Sequence, residues 1–139
     1  MAAFTEVQIK ELMNTARMLD QAVRRYQRYE ESVELDADAG VNVYPFSRVG
    51  TDRILVITHM SAYNAISACT YIRLGFFNRT RNVWPRIEPA PLVLETVEFN
   101  GELTLQEDMW PVVQFDGATL HDDLHILVEG YWVRAPRIS

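Results

Sequence analysis

The sequence predicts an antiparallel β-sandwich preceded by one long N-terminal α-helix. Three observations carry this expectation. Residues 5 to about 33 contain neither Gly nor Pro and space their apolar side chains as a helix does. Residues 41 to 135 break into short runs rich in Val, Ile, Phe and Tyr, parted by turn residues. No helical periods alternate with those runs, which argues against a parallel α/β sheet.

The domain organisation read from this is a helix over 1–35, an acidic linker and first edge strand over 36–50, and a sandwich over 51–139. Thr5-Glu6-Val7-Gln8 reads as a capping box, with the Thr5 hydroxyl on the Gln8 amide and the Gln8 side chain reaching back. Phe4 and Ile9 take the two staple positions around it. Ile9, Leu12, Ala16, Leu19, Val23 and Tyr26 then follow at alternating intervals of 3 and 4, a heptad seam. Met13, Ala22 and Tyr29 widen it, which favours more than two helices. The seam is therefore expected to mediate self-association as a homotrimer. The competing reading lays the helix on its own sandwich. The helix is expected to end between about 29 and 34, with Asp36-Ala37-Asp38-Ala39-Gly40 as the linker.

Val41–Phe46 carries Pro45 and reads as an edge strand. Arg53–Ser61 is apolar on both faces near its middle, as a central strand is. Ala68–Phe77 alternates, with Ile72, Leu74 and Phe76 on one face and Tyr71, Arg73 and Gly75 on the other. Leu92–Phe99 and Glu102–Gln106 flank Asn100-Gly101 and read as a hairpin. Trp110–Phe115 and Leu124–Val133 complete about seven strands.

Thirteen Lys and Arg against nineteen Asp and Glu give a net charge of −6. That balance argues against a general nucleic-acid binder and against attachment to an anionic membrane. The start shows no basic region leading into an apolar run, so no signal peptide is read. One cysteine, Cys69, excludes an intramolecular disulfide. Catalytic constellations are not discernible. Cys69 reads as packing, His59 as a structural histidine, and the six glycines form no phosphate loop. Without a leader, the Asn78-Arg79-Thr80 glycosylation match is idle.

His121-Asp122-Asp123-Leu124-His125 reads as a solvated turn. On a strand, the histidines stand about 13 Å apart at about 3.3 Å per residue, too far to share one ion. No metal and no cofactor are expected. Arg73, Arg79, Arg81 and Arg86, with Trp84 among them, form a basic stretch that suits an acidic partner surface or a solvated loop. Trp84, Trp110 and Trp132 read as core. A carbohydrate-binding module would instead need an exposed, coplanar pair among these and Tyr71.

Thr70-Tyr71-Ile72-Arg73-Leu74-Gly75-Phe76-Phe77, Pro91-Leu92-Val93-Leu94, and the run from Asp116-Gly117-Ala118-Thr119 through Gly130-Tyr131-Trp132 resemble small jelly-roll domains of accessory virion proteins of tailed bacteriophages. The resemblance covers about residues 50–135. It departs from the pattern at His121-Asp122-Asp123, where a plain Gly-Asp turn is the expectation. The resemblance implies a jelly-roll sandwich and a non-enzymatic virion protein, a capsid decoration or head-fibre component. A neck or head–tail connector role is the near alternative. It further implies copies of itself and the major capsid protein as partners, and the virion, assembled in the host cytoplasm, as location.

Overall fold

The computed structural model describes residues 5–14 and 26–134. Among the described residues a helix, α1, covers 6–14. Eight strands follow: β1 (Tyr26–Asp36), β2 (Gly40–Pro45), β3 (Arg53–Asn64), β4 (Tyr71–Phe77), β5 (Asn82–Pro89), β6 (Val97–Leu105), β7 (Trp110–Ala118) and β8 (Asp123–Arg134). They form two four-stranded antiparallel sheets, β1-β8-β3-β6 and β2-β7-β4-β5. Every connection but β4–β5 crosses from one sheet to the other, the connectivity of a jelly roll.

The core lies between the sheets. Leu55, Ile57, Met60 and Ala62 of β3 and Leu124, Ile126 and Val128 of β8 meet Ile72 and Leu74 of β4 and Val113 and Phe115 of β7. Period-two alternation puts these residues on one face of each strand. β3 is central, flanked by β8 and β6, as its two-faced apolarity predicts. Val56 is buried too, outside the core cluster, on the other face. β2 is an edge strand, as Pro45 requires.

Three expectations are overturned. The helix does not run to residue 29 or beyond, because Tyr26–Asp36 is strand β1, paired with β8 along its whole length from Tyr26↔Val133 to Asp36↔Asp123. Tyr29, Val33 and Leu35 point to the core at period two. Tyr29 packs edge-on against Trp132 at 5.3 Å. Local periodicity was ambiguous there, and the edge that β8 offers decided it. The acidic linker contracts to the three residues 37–39 between β1 and β2.

The hairpin at Asn100-Gly101 does not form. Val97–Leu105 is one strand, and neither Asn100 nor Gly101 has a positive φ. The pair sits at a register shift against β3, between Ile57↔Leu103 and His59↔Asn100. A bulge absorbs the glycine that a turn was expected to use. The basic stretch around Trp84 is only partly loop: Arg73 is on β4, Arg79 and Arg81 are in the β4–β5 turn, and Trp84 and Arg86 are on β5. Asn82–Pro89 is strand β5, an edge where Pro85 and Pro89 are tolerated.

Candidate functional site

The capping box at the start of α1 is present. The Thr5 amide donates to Gln8 Oε1 at 2.9 Å, and the Gln8 amide donates to Thr5 Oγ1 at 3.2 Å. Of the seam residues, Ile9 and Leu12 lie on α1, 45% and 55% exposed. Val7 and Met13 are exposed beside them. Ala16, Leu19 and Val23 lie outside the described residues, and Tyr26 opens β1. An amphipathic helix takes most of its stability from packing its apolar side chains.

The two outer faces of the sandwich differ. On the first sheet, Glu30, Glu34 and Asp36 of β1 alternate with the inward Tyr29, Val33 and Leu35. Their cross-strand partners include Glu129 and Asp123 of β8, so this face is acidic. On the second sheet, one row across the outer face runs Val43, Gln114, Arg73, Ile87. Val43 and Ile87 at its ends are exposed, as is Val41 on β2. The outer column of β4 is Tyr71, Arg73, Gly75 and Phe77, opposite Asp116, Gln114, Val112 and Trp110 of β7. Phe77 stacks on Trp110 at 4.3 Å. Trp84 lies across Gly75.

The basic residues are dispersed along this sheet. Arg73 is half-buried, paired with Asp116 at 3.1 Å, its guanidinium 5.2 Å from the Tyr71 ring centroid. Gln114 donates to the other oxygen of Asp116 at 2.7 Å. Arg79 donates to the Glu107 carbonyl at 2.8 Å, and Arg86 pairs with Glu88 along its own strand. Arg81 is exposed at the end of the β4–β5 turn. Each of the three tryptophans packs on a different neighbour and all are half-buried: Trp84 on Gly75, Trp110 on Phe77, Trp132 on Tyr29.

The loops at one end of the sandwich are tied by a buried carboxylate. Asp122 is 2% exposed, which corrects the reading of 121–125 as a solvated turn at that residue, while the His121 side chain stays 73% exposed. It accepts from Ser67 Oγ at 2.6 Å, Asn64 Nδ2 at 2.8 Å and the Thr119 amide at 2.8 Å. Burial works to raise this carboxyl, but the hydrogen bonds from Ser67, Asn64 and Thr119 outweigh it and hold it below the usual carboxylate range. Asn64 Oδ1 in turn accepts the Ile66 and Ser67 amides. Cys69 is buried beside it; burial pushes its thiol up, against the Asn64 hydrogen bond. His121 holds φ 69°, where the resemblance expects glycine, and its amide donates to the Ala37 carbonyl at 2.8 Å.

The histidines take separate partners. His121 Nδ1 faces Asp36 at 3.1 Å. His125 lies between Asp123 and Glu34 and stacks on Tyr63. His59 Nδ1 is 2.8 Å from Asn100 Oδ1 on the neighbouring strand. Sequence reasoning missed Glu34 and Asn64 as partners, because strand pairing alone brings them to β8.

Strand order and surfaces define the class: an eight-stranded jelly-roll β-sandwich preceded by a helix with exposed apolar side chains. No protein-family model matches the chain, and no curated protein matches it. Among solved structures it is similar to the Drosophila NLP core, from work on pentamer formation and histone binding. That likeness has 12% identity and a TM-score of 0.39, over 76% of this chain and 99% of that one. It is similar to a protein of the disulfide-linked pili called Bacillus endospore appendages, at 10% identity and a TM-score of 0.38, over 80% of this chain and 91% of that one. It is also similar to a chain of infectious bursal disease virus, Gx strain, at 7% identity and a TM-score of 0.27, over 81% of this chain and 41% of that one. At these TM-scores none carries an argument about function, and the fold rests on the strand order itself.

Proposed function

We propose that this protein is a non-enzymatic structural protein of a virus particle, a capsid decoration or head-fibre component that assembles through α1 and the outer face of the second sheet. The single observation behind the reading is the exposure of Ile9 and Leu12 on α1, apolar side chains that gain stability only by packing. Val41, Val43 and Ile87 add apolar area on the second sheet, while the first sheet stays acidic. Such surfaces gain free energy by burial against protein and supply no chemistry to a substrate. A homotrimer through the helices, docked on the major capsid protein, is the assembly proposed. The phage resemblance supports the virion setting.

The test is Ile9→Asp combined with Leu12→Asp in the full chain. Light scattering is expected to give a trimer for the wild type and monomers for the variant, with the sandwich's thermal transition kept. A wild type that is monomeric at high concentration and absent from purified particles ends the reading. So does a variant whose sandwich unfolds, which would put the helix in its own domain's core.

A further inference from the structure

We propose that Glu34 of β1 and Asp123 and His125 of β8 form a binding site for a divalent transition-metal cation, zinc foremost. The proposal is independent of the assembly reading. The residues come together by strand pairing: Glu34 stands directly opposite His125, and Asp123 lies two residues along the same face. One ligand atom from each falls within 4.8 Å of the other two. Ligands held about 2.1 Å from one ion lie about 3.4 Å apart in a tetrahedron. Glu34 Oε1 lies 3.4 Å from His125 Nδ1 and Asp123 Oδ2 lies 2.8 Å from Nε2; one ion can take only one of these ring nitrogens, because their lone pairs diverge. An ion on Nε2 beside Asp123 is reached by the 73% exposed Glu34 carboxylate through rotation of its side chain.

Two features favour a cation here over a chance surface cluster. A neutral imidazole carries one N–H, so carboxylates at both ring nitrogens leave one anion facing a lone pair. Whatever the ring's charge, two carboxylates against one imidazole leave a net negative site that a cation balances. The face is also short of cations. Asp36 stands directly opposite Asp123, and like charges opposed across strands destabilise a sheet. His121 is drawn to Asp36, which leaves the other two carboxylates to His125. The imidazole is held in place by a parallel stack on Tyr63, with ring centroids 4.6 Å apart. One nitrogen and two carboxylates suit zinc or a neighbouring transition ion, with water completing the shell. Calcium, which takes six to eight oxygens, is poorly served. A bound ion would clip the edge strand β1 to β8. The expectation of no metal considered His121 with His125; Glu34 enters only through the fold.

The experiment is calorimetric titration of zinc chloride into the tag-free, chelator-treated full chain, with thermal unfolding in parallel. We expect one zinc per chain and a rise in Tm of roughly 3–5 °C at zinc ten times its Kd. Glu34→Gln and His125→Gln, tested separately, are each expected to weaken binding roughly tenfold or more. Glu34 is 73% exposed, so its substitution leaves the fold intact. His121→Gln is expected to change affinity less than about twofold, and calcium to give no Tm shift. No zinc binding by the wild type overturns the proposal. Undiminished binding by Glu34→Gln, or equal loss with His121→Gln, overturns it as well.

Discussion

Asp122 shows how much one side chain organises. Its carboxylate gathers a hydroxyl from the β3–β4 loop, an amide side chain from the end of β3 and a backbone amide of its own turn. Its backbone carbonyl accepts the Ala37 amide of the β1–β2 turn, and the neighbouring Asp123 carbonyl accepts the Ala65 amide. Every polar partner is satisfied, which is the condition for a buried charge to be tolerated. Asp122→Ala leaves those donors buried and unpaired. It is expected to cost roughly 2–4 kcal/mol in urea unfolding, with an unchanged m-value. Asp123→Ala, on the exposed side of the same segment, is expected to stay within about 0.5 kcal/mol in metal-free buffer. Equal losses for the two would mean that the network contributes nothing.

At the scale of elements, β4 and β5 are locked by an absent side chain. A Cβ on Gly75 would collide with the Val83 carbonyl and press on the Trp84 ring. Here β5 shifts register, between Leu74↔Arg86 and Phe76↔Val83, and the bulge lets Trp84 lie across the glycine. Backbone is a less forgiving neighbour than a flexible side chain, so Gly75→Ala is expected to destabilise by roughly 1–3 kcal/mol. Gly50→Ala meets open space and is expected to be close to neutral. Thermal melting of the two variants side by side checks this. The same bulge chemistry explains Asn100-Gly101, where the residues of a turn serve instead to absorb a register shift.

At the scale of the whole molecule, β1 pairs with β8, and among the described residues six of the seven connections between strands change sheets. Contacts of such sequence separation must meet a loop-closure cost before they contribute. Stopped-flow refolding is therefore expected to be slow for this length, roughly milliseconds to seconds rather than microseconds. Removing β8 is expected to abolish the cooperative transition, because β8 supplies the partner of both β1 and β3. A truncated chain that still melts cooperatively would show the second sheet to be self-sufficient.

Legible in the amino-acid sequence were the sandwich class, the central place of β3, the edge place of β2, the inward face of β4 and the cap that starts α1. In each case the signal is local: period-two alternation, a proline that cannot donate, a threonine three residues before a glutamine. The tertiary structure alone decided the rest. Tyr26–Asp36 carries apolar residues that fit either period, and only the free edge of β8 made it a strand. Asn100-Gly101 fits a turn, and only pairing along β3 straightened it. Asp122 reads as solvent-exposed until Asn64 and Ser67, remote in sequence, enclose it. Glu34 and His125 stand 91 residues apart, and strand register alone sets them face to face. Pairing between distant segments depends on which edges remain open once the core has formed, and no local window of residues contains that information.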